Sequence, residues 1–187
     1  MPLRTDFSTM NCSLARALDQ MGDPWVLLVL RECLLGAERF EEFAQALGAA
    51  RKVLADRLAR MTADGLLERF ELTTSGKRAA YRITAKGEAL VPALVALMQW
   101  GDVWISGAGQ EPIVAVGPRG AAIAPLALRT RSGQPVPVSA LRWEPGPGAK
   151  PRTRAHVRML AAREIERGEP RHGFQSVVEG TPALRQR

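Results

Sequence analysis

The chain has 187 residues, 46% of them hydrophobic, with 26 Lys and Arg against 19 Asp and Glu for a net charge of +7. That length and apolar content suit a packed core in one or two modest domains, and no uninterrupted apolar run approaches the ~20 residues of a membrane span. The opening MPLRTDFSTMNCSLARAL lacks the apolar stretch and small-residue cleavage site of a secretory leader, so the expectation is a cytoplasmic protein with no membrane partner.

Ser13 precedes LARALDQM, a short amphipathic helix that serine can cap and Gly22 can end. Asp23 and Pro24 suit the N-cap and first turn of WVLLVLRECLL, apolar nearly all round and therefore central to a core. AERFEEFAQAL gives a third helix, with Phe40, Phe43 and Leu47 inward and Gly48 at its close. Across the tight LGAA corner comes RKVLADRLARMTA, in which Leu54, Leu58 and Met61 share one face and Lys52, Asp56, Ala59 and Arg60 lie opposite. LLERFEL and RAAYRIT read as two strands joined by TTSGK. Thr84 can cap AKGEALVPALVALMQWGDVW, a helix of roughly 30 Å whose Leu90, Val91, Leu94, Leu97, Trp100 and Trp104 exceed what one small domain needs to cover.

SGAGQEP marks a boundary near residue 107. PIVAV, AAIAPLALRT and VPVSALRWEP are β-prone runs between turns, which predicts a small β-rich unit over 108–149 packed by Leu126, Leu128, Val136, Val138, Leu141 and Trp143. PGPGAKPRTR is a second break, leaving 150–187 as a basic tail with one amphipathic helix on Val157, Leu160, Ala161 and Ile165. The predicted class is mainly α with a β-hairpin wing, a winged helix-turn-helix over 1–107, followed by that β-rich unit and the partly helical tail.

Charge is unevenly spread. Residues 1–141 hold 16 basic and 14 acidic side chains, whereas 142–187 hold 10 and 5, so nucleic-acid binding by the first part must rest on local placement. The helix, tight turn, helix and hairpin have the layout in which the second helix enters the DNA major groove. Arg51 and Lys52 open that helix against its own dipole, which makes sense where they meet phosphates or guanine acceptors. Asp56 and Arg60 share the polar side, Asp56 suiting a cytosine amino group or the orienting of a neighbouring arginine. Lys77 and Arg78 at the hairpin tip suit flanking phosphates or the minor groove, and Arg39 beside the preceding helix suits a backbone contact. The competing reading is a solvated charged face on a protein-interaction module, with nonspecific nucleic-acid binding through the basic tail.

Catalysis finds no support. His156 and His172 stand in no arrangement with a nucleophile or carboxylate, no phosphate-binding or dinucleotide fingerprint occurs, and Cys12 and Cys33 form neither a CxxC pair nor a metal-ligand set. The chain is therefore expected to be no enzyme and to need no cofactor or metal.

From Cys12 to Trp104 the sequence resembles the HxlR-type bacterial transcriptional regulators, winged-helix proteins related to the MarR group. ALDQMGDPW, LLVLRECLLG, RFEEF, LADRLARM, DGLLER, YRITAKG and the terminal QWGDVW carry the likeness by their order and spacing. The resemblance implies a homodimer, formed through the N-terminal helix and the long helix after the wing, that binds double-stranded DNA at an inverted-repeat operator as a repressor. Leu14, Leu94, Leu97, Trp100 and Trp104 are then the interface residues; covering of that face by the later β unit is the alternative. Cys12 matches a cysteine that senses oxidants or electrophiles in some members, against the alternative of a small residue buried at the dimer contact. A redox or small-molecule effector would act there or in a hydrophobic space between the wing domain and the long helices. The chain departs from the family at Ala49, Ala50 and Arg51, where Ala50 cannot cap amides as a serine would.

Overall fold

A computed structural model of the chain describes residues 6–72, 78–107 and 109–167. Four helices come first: α1 (Ser13–Met21), α2 (Pro24–Leu34), α3 (Phe40–Leu47) and α4 (Arg51–Ala63). The strands β1 (Leu67–Leu72) and β2 (Arg78–Ile83) pair antiparallel from Leu67 opposite Ile83 to Leu72 opposite Arg78. Then come α5 (Ala85–Glu88), α6 (Val91–Gly101), a π-helical turn at Asp102–Ser106, and α7 (Pro151–Arg167). The chain divides into two compact units after Leu94.

Helix ends follow the local chemistry. Asp23 accepts from the Trp25 amide, with Pro24 in the first turn of α2. Gly48 ends α3 in the left-handed region at φ 59°, where a side chain would be strained. Thr84 caps α5 by accepting from the Gly87 amide. One end differs from the sequence reading: α1 begins at Ser13 itself, which leaves Cys12 as its N-cap residue without a side-chain cap bond. Ala50 at the head of α4 likewise supplies no cap, as its methyl group requires.

The core of the first unit collects Val26, Val29 and Leu30 of α2, Phe43 of α3, Leu54, Leu58 and Met61 of α4, Leu66, Leu67 and Ala80. Phe43 meets Tyr81 of β2 edge to face at 6.4 Å between ring centroids, a favoured aromatic geometry. Gly87 seats α5 against the sheet: a Cβ there would lie 2.4 Å from the Leu66 carbonyl oxygen and 2.7 Å from Ile83 Cγ1.

The long helix is interrupted by a turn at Ala89–Leu90, next to Val91 and Pro92. Helical structure nonetheless runs over Ala85–Ser106, 22 residues that contain an 18-residue window with a mean hydropathy of 1.3, so by length and composition alone it is long and apolar enough to cross a membrane. Counting uninterrupted apolar residues misses this, because Gln99 and Asp102 break the run without ending the helical structure.

Residues 109–150 also differ from expectation. Instead of a strand ladder, the chain forms two isolated bridges, Val116 with Ala122 and Arg129 with Pro135, and two short 3₁₀ turns. Leu126, Leu128, Val138 and Trp143 are exposed and only Val136 and Leu141 are half-buried. Proline is the physical reason: Pro112, Pro118, Pro125, Pro135 and Pro137 each remove a ladder donor. The Gln99 side chain holds one loop by donating to the Ala124 carbonyl at 3.1 Å and accepting from the Leu126 amide at 2.9 Å.

Candidate nucleic-acid interface

The polar side of α4 is the surface in question. Leu54, Leu58 and Met61 bury its inner side, so rotation about its axis is fixed and Lys52, Asp56 and Ala59 stand outward. Lys52 and Asp56 take part in no ion pair among the described residues.

Arg51 is exposed but engaged. Its two terminal nitrogens donate to the two carboxylate oxygens of Glu41 at 2.7 and 2.8 Å, and its guanidinium lies 4.8 Å from the centroid of the Phe40 ring. The fork raises the Arg51 pKa through the Glu41 hydrogen bonds first and the charge second, and it ties the head of α4 to α3 across the turn. Arg60 is also exposed but engaged: it donates to the Asp19 carbonyl at 3.2 Å and lies 3.5 Å from the Asp64 carboxylate. Arg51 and Arg60, expected to face DNA alongside Lys52, therefore have protein partners, of which helical spacing reveals only Asp64, four residues after Arg60.

Arg39 is exposed at the N-cap of α3 and forms an isolated bridge with Ala80, while the Glu38 carbonyl accepts from the Tyr81 amide at 2.8 Å. This lays the residues before α3 along β2 and widens the wing. Glu42 reaches back to accept from the amides of Glu38 and Arg39, both at 2.8 Å, and those bonds, Arg39's first, hold its carboxyl below the ordinary glutamate range. Lys77 lies outside the described residues, and Arg78 is described only by its backbone at the start of β2. Along the wing, Arg82 pairs with Glu68 and stacks over Phe70 at 5.2 Å.

Some supporting residues were not singled out in the sequence. Arg57, at the edge of the apolar face, pairs with Asp23 and so links α4 to the head of α2. Lys86 donates to the Asp64 carbonyl at 2.6 Å, at the α4 C-terminus, where a cation complements the dipole. The Glu42 bond has a visible signal, an acidic residue three positions after the N-cap. The others depend on tertiary placement.

With the inner side of α4 buried and its other side polar, the helices and hairpin form a winged helix-turn-helix. Residues 20–108 match the HxlR-like helix-turn-helix family. The chain is 36% identical over 139 residues to the uncharacterised HTH-type transcriptional regulator Rv3095 of Mycobacterium tuberculosis, covering 74% of this chain and 88% of that one. It is 33% identical over 99 residues to the regulator YvaP of Bacillus subtilis, covering 52% and 92%. Among solved structures, PA1607, a candidate transcription factor, superposes with a TM-score of 0.70 at 33% identity over 76% of this chain and 100% of its own. The chain belongs to the HxlR-like helix-turn-helix family: it is a transcriptional regulator with a helix-turn-helix DNA-binding domain, and not an enzyme.

Outside the polar side of α4, the apolar positions divide. Trp100 and Trp104 are 56% and 60% exposed, and Leu14 and Leu97 are exposed with them, whereas Leu94, expected in the same group, is 6% exposed and belongs to the core. Cys12 is exposed. Cys33 is half-buried in α2, and desolvation, with Glu32 adding to it, pushes its thiol up to about 12, which leaves it an inert packing residue at neutral pH. A shallow hollow of about 90 Å³ lined by Ala17, Gln20, Met21, Leu66, Lys86 and Leu90 is small against the ~300–1,000 Å³ of ordinary ligand sites.

Proposed function

We propose that the protein is a homodimeric repressor that places α4 in the major groove of each half of an inverted-repeat operator. The observation that carries this reading is the outward pair Lys52 and Asp56 on a helix locked by its buried opposite face. Lys52 reads acceptor edges and Asp56 a donor edge. Arg39, Lys77 and Arg78 take phosphates, and Arg51 enters with its fork preset by Glu41, while Arg60 acts on the fold of α4 through Asp19 and Asp64.

Leu14, Leu97, Trp100 and Trp104 supply the dimer contact, supported by their exposure on helices otherwise well formed. Two-fold symmetry then sets the two recognition helices about one DNA turn apart. A second copy also accounts for the apolar stretch at Ala85–Ser106 without a membrane, and a regulator acting on chromosomal DNA works in the cytoplasm. Cys12, exposed at the head of α1, is where an oxidant or electrophile would reach the dimer.

The test is titration into a duplex from upstream of the protein's own gene and into a scrambled duplex. A preference of about 10³-fold or more near physiological salt supports the reading. Lys52→Ala should remove roughly 1–3 kcal/mol of that discrimination, whereas Lys77→Ala should weaken binding to both duplexes alike. Equal loss on both duplexes from Lys52→Ala counts against base reading.

A further inference from the structure

α7 carries a charged surface that the winged unit does not use. From Pro145 to Arg163 the sequence has no Asp or Glu and holds Lys150, Arg152, Arg154, Arg158, Arg163 and His156. At about 100° per residue, Arg152, His156, Met159 and Arg163 fall on one stripe, and all four are exposed. The other side, Thr153, Val157, Leu160 and Ala161, is half-buried. Arg154 is withdrawn from the stripe, donating to the Ala149 carbonyl at 3.2 Å. Among the side chains described, which in α7 end at Arg163, no salt bridge engages Arg152, Arg158 or Arg163. Acidic residues return in sequence at Glu164 and Glu166 and bound the stripe.

We propose that the exposed Arg152, His156 and Arg163 stripe of α7 binds the phosphate backbone of duplex DNA without regard to sequence, as a second contact beside the recognition helix. The proposal rests on the DNA-binding activity of the family and deepens it. Charge complementarity selects the partner: the stripe carries a guanidinium at each end of roughly 16 Å of helix, and a duplex presents a charge every ~1.7 Å of its axis. Arginine suits phosphate through its planar fork. A lipid surface fits worse, because a helix lying in a membrane needs an apolar face to insert. Here the apolar side is already half-buried, and Met159 is the large apolar residue among the cations.

The experiment uses the full chain and a duplex of arbitrary sequence, with affinity measured between about 50 and 200 mM salt. In Arg152→Gln/Arg163→Gln the slope of log affinity against log salt should become shallower by about 2, which is roughly a tenfold smaller loss of affinity across that range. Arg152→Lys/Arg163→Lys should keep the wild-type slope, and circular dichroism should show all variants equally helical. An unchanged slope in the glutamine variant, with Lys52→Ala still reducing operator preference, overturns the role of α7 and leaves the recognition helix standing. Failure of the wild type to bind any duplex at low salt overturns both. Binding of the wild type to phosphatidylglycerol vesicles that the glutamine variant loses, with the duplex slope unchanged, assigns the stripe to a membrane and overturns the proposal.

Discussion

The two units of the chain handle apolar residues in opposite ways. In the first, apolar side chains from three helices and the hairpin close on each other around Phe43, whereas beyond Leu94 no described residue is buried although Trp100, Trp104 and Trp143 all lie there. A helix-and-hairpin unit that hides its own periodic apolar faces can hold a recognition helix at fixed rotation. A segment that leaves tryptophans in water contributes surface, and surface of that kind acquires meaning from a partner.

The sharpest way to break this contrast is truncation on both sides of it. Phe43→Ala removes a 0% exposed ring packed on Tyr81 and should cost about 3–5 kcal/mol in urea unfolding. Trp143→Ala, at 72% exposed, should stay within about 0.5 kcal/mol. Comparable losses from both would mean that the second region has a core of its own. Gly87→Ala comes next: its Cβ collides with backbone at Leu66 as well as with Ile83, so the unit should lose about 1–3 kcal/mol. Trp100→Ser/Trp104→Ser should leave that unfolding transition in place yet convert dimer to monomer in light scattering, with the affinity between copies reduced by at least about 2 kcal/mol. A wild type already monomeric at high concentration would remove the dimer from the proposed function.

Legibility in the sequence follows the same divide. The helices and hairpin up to Ile83 could be placed because capping residues, left-handed glycines and one-sided apolar patterns all point to contacts made within the chain: Asp23, Gly48 and Thr84 each act as their residue type suggests. The recognition helix was legible down to which side is buried. Its polar side was less so, since Arg51 is diverted by Glu41 and Arg60 by the Asp19 carbonyl, partners that α4 does not contain, with Asp64 a local i,i+4 neighbour of Arg60. Beyond Gly107, β-prone composition suggested strands, but hydrogen-bond donors decide whether strands pair, and the prolines remove them.

The smallest expected effect concerns how the winged unit holds its wing. The Glu42 carboxylate is favoured in its charged form by the Arg39 and Glu38 amides, which depresses its pKa in the folded state. A depressed carboxyl contributes stability at pH above its unfolded value of about 4.3, and that contribution fades as pH falls through the folded value. Wild-type stability should therefore decline across the acid range more steeply than that of Glu42→Gln, whose amide can still accept from the backbone but does not titrate. Near neutral pH the variant should be the less stable of the two by a small margin, because Glu42 is exposed and its bonds compete with water. Denaturant titrations of both proteins at neutral and acid pH measure this directly. If the gap between them fails to narrow on acidification, charge at Glu42 is not what fastens the residues before α3 along the wing, and the bridge from Arg39 to Ala80 must hold by its backbone alone.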